Sequence, residues 1–391
     1  MSVFEPAPNP AFFSAEHEQF RASLRAFVAH EISPYVDTWD EAGRVPRDLY
    51  GKAAELGILG VGFPEEYGGT PADEFMKIVV AEEIARAGSG GVQAALGSHG
   101  IGLPPLLAVG SPGLKSRVVP PVLAGEKISA LAITEPGGGS DVAALRTTAV
   151  RDGADYVVNG EKTFITSGMR ADFITVAVRT DPAARGAAGI SLLLVEGETA
   201  GLERTELRKM GWWCSDTATL RFSDCRVPVD NLIGPEHQGF KSIMLNFNSE
   251  RLAMAVMACA YAQVCLEEAV AWARERKTFG LPLAERQVIR HKLVDMAMRI
   301  DAARTLAYEL ADCVQRQRAP ARELVARTCM LKVVATQTMQ FCADQAVQIL
   351  GGMGFMRGTR AERIYREVKV MMIGGGSEEI MKDLAARQLC I

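Results

Sequence analysis

Apolar residues recur at two different periods along this 391-residue chain, and the period changes twice. In the first third, Phe20, Leu24, Phe27, Val28 and Ile32 fall at helical spacing and Pro34 closes the run. The stretch "DEFMKIVVAEEIARAG" repeats that period and ends on glycine. From about Ile128 the texture becomes short, β-branched runs separated by turn residues: "ISALAIT", "DYVVNGEKTFIT", "ISLLLVE" and "ATLRFSDCRVP". Asn159-Gly160, lying between two such runs, predicts a type I′ hairpin. After "NLIGPEHQGF" the helical period returns over residues 241–276, 284–316 and 321–350, with breaks near "KTFGLPL" and "GGMGFMRG". The order predicts an α+β multidomain protein. A helical domain spans 1–126, an antiparallel β-domain 127–238 and a helical bundle 239–391. Strands do not alternate with helices, which argues against a doubly wound parallel sheet.

Composition narrows the classes. The chain is 48% apolar and 23% charged with a formal net charge of −4, and its Lys and Arg are scattered among acids, so no nucleic-acid partner is expected. The opening "MSVFEPAPNPAFF" lacks the basic start and apolar run of a signal peptide. No apolar stretch is expected to span a membrane. Eight cysteines form no C-x-x-C pair and most fall in helical apolar patterns, which reads as buried thiols in a reducing cytoplasm. Five histidines lack ligand spacing, so no metal is expected.

Three glycine clusters stand out: "TEPGGGSD" at 134–141, "QILGGMGF" at 348–355 and "MMIGGGSEEIMKDL" at 371–384. None fits G-x-G-x-x-G or G-x-x-x-x-G-K-[ST]. The first two each end one element and open another, where exposed backbone N–H groups could cradle a pyrophosphate or a flavin edge.

"LAITEPGGGSD" followed by "VVNGEKTFITSG" resembles the paired flavin-site signatures of the acyl-CoA dehydrogenases. "RERKTFGLPLAERQ" and "QILGGMGFMRGTRAERIYREVK" resemble that family's two C-terminal signatures, and the four are collinear over essentially the whole chain. The resemblance implies an N-terminal helical domain, a β-domain and a C-terminal four-helix bundle. It also implies a homotetramer, FAD bound across a subunit interface, and electron-transferring flavoprotein as acceptor. By the same resemblance Ile133 and Thr134 contact the flavin pyrimidine side, and Phe164, Ile165 and Thr166 cover the face away from substrate. Phe164 stands where the family often has Trp. Arg276 is implied at the pyrophosphate with Phe279 and Gln287 beside it, a fit to bidentate Arg–phosphate geometry. Many relatives have His where this chain has Arg286. Gln348, Gly351 and Gly352 are implied at the adenosine end, and Ser377 and Glu379 at its closure. Ser140, Phe247 and Arg251 are implied substrate contacts.

The implied reaction is α,β-desaturation of an acyl-CoA thioester, with a base taking the α-proton while the β-hydrogen leaves as hydride to flavin N5. A thioester α-proton is too weak an acid for a carboxylate in water. The carbonyl oxygen therefore needs donors, and the base needs a dry site that lifts its pKa above about 4.3. The common family base is a Glu 20 residues beyond the aromatic of the double-glycine motif; here that count from Phe355 lands on Gly375. A minority, including isovaleryl-CoA and long-chain acyl-CoA dehydrogenases, carries the Glu on the first bundle helix just before an Arg. "FNSERLAMAV" supplies Glu250-Arg251, 26 residues before Arg276. Glu250 is therefore the expected base, and the Gly375 N–H the expected donor to the thioester oxygen. The glycines leave room for a long or branched acyl chain. The alternatives are an acyl-CoA oxidase on the same fold, and an inactive flavin-fold binding protein marked by a basic patch and no base at either position.

Overall fold

The computed structural model describes residues 9–391, except for the side chains of Leu245 and Asn246. The chain forms two compact units, each assembled from separate stretches. One comprises Trp39–Pro71 and Ala94–Glu250; the other comprises Met1–Thr38, Ala72–Gln93 and Arg251–Ile391.

The first unit is built on a sheet. Its strands are β1 (Ser129–Ala132), β2 (Thr148–Asp152), β3 (Asp155–Thr166), β4 (Phe173–Arg179), β5 (Ile190–Glu196), β6 (Leu202–Glu206), β7 (Thr217–Pro228) and β8 (Leu232–Ile233). The order is β6-β7-β3-β2-β4-β5-β8, with β1 attached to β4. Most pairs are antiparallel, but β1 and β2 each pair parallel to β4, so the sheet is mixed rather than purely antiparallel. The expected Asn159-Gly160 hairpin is corrected: both residues lie inside the twelve-residue β3. The reversal instead comes at Gly153, where φ is +63° between β2 and β3. At Asn159-Gly160 the pairing of β3 with β7 shifts register, and the Asn159 side chain exchanges hydrogen bonds with Asp224 on β7. A bulge uses the same permissive backbone as a turn, so the dipeptide alone could not separate the two. β4 and β5 bury nearly every residue, and their inward side chains meet Leu114, Val118 and Val122 of the helix Pro112–Leu123 in one apolar cluster.

The second unit is helical. Its main helices are α1 (Ala15–Phe27), α2 (Glu74–Ala85), α3 (Gly239–Glu275, of which Arg251 onward belongs here), α4 (Gln287–Gln315), α5 (Ala321–Leu350), α6 (Arg360–Ile373) and α7 (Glu378–Leu389). The three long helices fall within a few residues of their expected spans. The first does not. Its α-helical hydrogen bonding stops at Phe27, and Val28–Ile32 form a π turn before a 3₁₀ turn at Ser33–Tyr35. Pro34 cannot donate to the preceding turn and crowds its carbonyls, so the helix widens before it ends. The expectation that no apolar stretch could span a membrane is corrected at α3, which is long and apolar enough to do so, yet 67% of its most apolar window is buried inside the protein. α5 packs against α4, α6 and α7; Ala326, Cys329 and Val333 on one of its faces meet Met381 and Ala385 of α7. All eight cysteines are free, seven of them buried and Cys390 exposed.

One half-buried titratable group in the first unit sets an acid limit. The His99 ring lies beside Phe63, and its Nε2 hydrogen-bonds Leu59 O at 2.9 Å. Burial pushes its pKa from 6.5 down to about 4. Between those values the unfolded chain binds a proton that the folded chain does not, so stability is complete above pH 6.5 and declines as pH falls toward 4. Lowering pH from 7 to 5 is expected to cost about 2 kcal/mol through this residue. Thermal unfolding across that range should show a smaller pH slope in His99→Gln.

Candidate active site

On the sheet unit, β3 alternates inward and outward, so Tyr156, Val158 and Lys162 share the buried face. Lys162 is 0% exposed, and its Nζ donates to Glu135 Oε1 at 2.8 Å and to Ile133 O at 3.0 Å. The Glu135 carboxylate also accepts the Arg146 N–H, the Thr147 N–H and the Thr147 hydroxyl, at 2.6–2.9 Å. Burial alone would raise the Glu135 carboxyl; the Lys162 charge and the Thr147 hydrogen bonds outweigh it and hold the group below its ordinary range. Burial brings the Lys162 ammonium down to about 8 against the pull of Glu135. The pair is thus ionic at neutral pH, and it pins the segment leaving β1 against β3. Thr134 completes the join: its hydroxyl donates to Thr163 O, and Thr163 N–H donates to Thr134 O at 2.9 Å.

A second register shift falls between Lys162 and Ile165. It puts Phe164 at φ +61° with the side chain 69% exposed, while Ile165 turns into the core. Holding an L-residue with a Cβ in that region costs about 1–2 kcal/mol, and the exposed ring recovers none of it by burial in the chain itself. Ile165 can offer a ligand only its backbone, and Thr166 is half-buried opposite Thr217. Ser140 is exposed in the glycine-rich loop, and Phe247 packs against the apolar cluster that contains Ile133. Glu250 is half-buried on α3 and is the last residue of this unit.

In the helical unit, Arg251 and the triple glycine come together. Arg251 is buried and its Nε donates to Gly375 O at 2.9 Å. The guanidinium thereby holds the loop backbone. Gly375 and Gly376 have φ +66° and +114°, conformations that suit glycine; Gly374, at φ −61°, does not need to be glycine for its backbone. Among the described residues no protein acceptor takes the Gly375 N–H. Ser377 caps α7 by accepting the Ile380 N–H, and Glu379 is exposed in the first turn. Hydrogen bonds from its own N–H and from Ser377 hold the Glu379 carboxyl below its ordinary range. Arg276, Gln287, Gln348, Gly351 and Gly352 are all exposed, and Phe279 is 98% exposed at φ +50°. Arg286 reaches back to Thr278 O at 2.7 Å and lies over the Phe279 ring, a contact that holds the short turn after α3.

Three family models match the chain in succession: the acyl-CoA dehydrogenase N-terminal domain over 14–126, the middle domain over 130–225 and the C-terminal domain over 237–390. The chain belongs to the acyl-CoA dehydrogenase family. It is 37% identical over 379 residues to the mitochondrial long-chain specific acyl-CoA dehydrogenase of Rattus norvegicus, covering 96% of this chain and 87% of that one. A solved probable acyl-CoA dehydrogenase from Mycobacterium abscessus is 49% identical with TM-score 0.93, covering 97% and 100% of the two chains. Butyryl-CoA dehydrogenase from Megasphaera elsdenii is 31% identical with TM-score 0.91, covering 99% of this chain and 100% of that one.

The protein is accordingly a flavoenzyme that acts on acyl-CoA thioesters, and FAD is its cofactor. Its own residues fit that group. The strained, exposed Phe164 ring and the exposed Phe279 and Arg276 are apolar and cationic surfaces that burial in the chain does not explain. Lys162, Glu135 and Lys332 were missed from the sequence. The available signal was a charged residue on a buried face: Lys162 follows the inward alternation of β3, and Lys332 lies on the apolar side of α5 beside Cys329, Val333 and Thr336. For Phe164→Gly, FAD affinity is expected to fall about tenfold, the worth of an aromatic contact. The apoprotein melting temperature should stay the same or rise, since glycine accepts the positive φ. An unchanged FAD dissociation constant would remove Phe164 from the cofactor wall.

Proposed function

We propose that the enzyme oxidises long or branched acyl-CoA thioesters to trans-2-enoyl-CoA, with Glu250 as base and the Gly375 N–H as a donor to the thioester oxygen. One observation carries this reading. Arg251 grips the Gly375 carbonyl, and Glu250 is its covalent neighbour on the same turn of α3. The residue pair that supplies a carboxylate is thereby tied to a loop whose amide has no protein acceptor among the described residues.

In this scheme the Glu250 carboxylate takes the α-proton. The Gly375 amide lowers the cost of the negative charge that grows on the thioester oxygen as the proton leaves. FAD, when bound, would supply the acceptor for the β-hydrogen and its electron pair. Phe164 and Thr134 would hold its ring, and Arg276 and Gln348 its phosphate and adenosine ends. Exposed Phe279 and Phe355 are suited to burial against further copies of the chain, in keeping with a tetramer, and electron-transferring flavoprotein is the acceptor that fits the family. Gly374, at φ −61°, adds no room of its own, since a Cβ there would lie 3.0 Å from Val370 O. Bulky substrates are favoured instead by the absence of a side chain at Gly375. The 37% identity to a long-chain enzyme points the same way.

Glu250→Gln is expected to slow anaerobic flavin bleaching by acyl-CoA about 10²–10⁴-fold, the usual worth of a positioned base. Bleaching at the normal rate would refute the assignment. Across a panel of thioesters, kcat/KM should favour C12–C16 or 3-methyl-branched chains over butyryl-CoA. Efficient turnover of butyryl-CoA alone would overturn the substrate class.

A further inference from the structure

A loop of three glycines has no side chains with which to hold itself, and each glycine gives up more backbone freedom on folding than any other residue. Here the loop is held from outside. The Lys332 side chain, 1% exposed, points from the middle of α5 to the junction of α6 and α7. Its Nζ lies 2.6 Å from Gly374 O, 2.5 Å from Gly376 O and 3.5 Å from Met372 O. Arg251 takes the remaining glycine carbonyl, that of Gly375. All three glycine carbonyls are therefore bound to buried cations. Met372 belongs to the last turn of α6, where unpaired carbonyls collect negative potential and favour a cation.

We propose that Lys332 is the positioning residue for the thioester donor: by fixing the carbonyls on either side of Gly375, it aims the Gly375 N–H. A peptide plane turns as a unit. The Gly375 N–H shares its plane with Gly374 C=O, so a bond to Gly374 O sets the direction of that amide. The bond to Gly376 O and the one from Arg251 to Gly375 O fix the following planes, so the amide cannot swing by rotation about the glycine dihedrals. This inference rests on the Gly375 N–H acting on the thioester oxygen, and the experiment separates failure of the one from failure of the other.

The probe is a chromophoric arylacryloyl-CoA, whose absorption moves to the red when a donor polarises its thioester carbonyl, titrated into FAD-loaded enzyme. Wild type should show the red shift. Lys332→Met should lose most of it and lower kcat about 10²-fold, the scale expected for an Å-sized misplacement of a catalytic group, with KM changed less than about threefold. Lys332→Gln, which keeps two N–H donors, should recover part of the shift and serves if Lys332→Met does not fold. Val333→Ala, on the same helix but facing Met381 and Ala385, is the control for lost stability; it should lower the melting temperature and keep the shift. An undiminished shift in both Lys332 variants overturns the proposal alone. Equal loss in Val333→Ala reduces Lys332 to a structural role and overturns it too. Absence of a shift in wild type removes the Gly375 donor and the proposal with it.

Discussion

In each unit a buried lysine ammonium bound to backbone carbonyls holds the segment on which the site depends. Lys162 fastens Ile133 and Glu135 to β3, and Lys332 fastens the loop between α6 and α7. Taking an ammonium out of water is costly, and only good geometry with charge-assisted hydrogen bonds offsets the loss. Lys162 meets that condition with a carboxylate that four donors surround, and Lys332 with carbonyls at 2.5–2.6 Å. Such contacts are unforgiving: with the cation gone, the carbonyls are left buried and unpaired.

The reason for this arrangement lies in what the segments do. Neither Ile133-Thr134 nor Gly374–Gly376 offers an ionisable side chain. Both can act through peptide N–H and C=O groups, which can be aimed only by fixing neighbouring peptide planes. A lysine is long enough to reach from a packed helix or strand into such a segment, and its three donors can take several carbonyls at once. The same logic gives Arg251 a loop-holding role beside the carboxylate of Glu250. Strain at Phe164 and Phe279 is tolerated because the surrounding contacts and ladders over-determine the backbone.

Much of the fold is legible in the sequence. The three long helices follow from sustained 3.6-residue periodicity, and β5 and β7 from dense β-branched runs. Errors came where one local pattern serves two structures. Asn159-Gly160 suits a bulge as well as a hairpin turn, and the apolar length of α3 suits a bundle core as well as a membrane span. β2, β4, β6 and β8 were not picked out one by one, since short strands are specified by their partners across the sheet rather than by their own composition.

The chain's motifs alone determined its family, and they placed a glycine at 375 where the family's common carboxylate is expected and Glu250-Arg251 as the candidate to replace it, because identity and spacing are properties of the sequence. They also showed three glycines with nothing near them to explain how the loop keeps its shape. Only the tertiary structure decided that. Lys332 is 42 residues from Gly374 and Arg251 is 124 from Gly375, and no local periodicity reports contacts closed over such distances. It likewise turned Phe164 outward at a bulge and Lys162 inward onto Glu135, since register across a sheet is set by the partner strand and not by the strand itself.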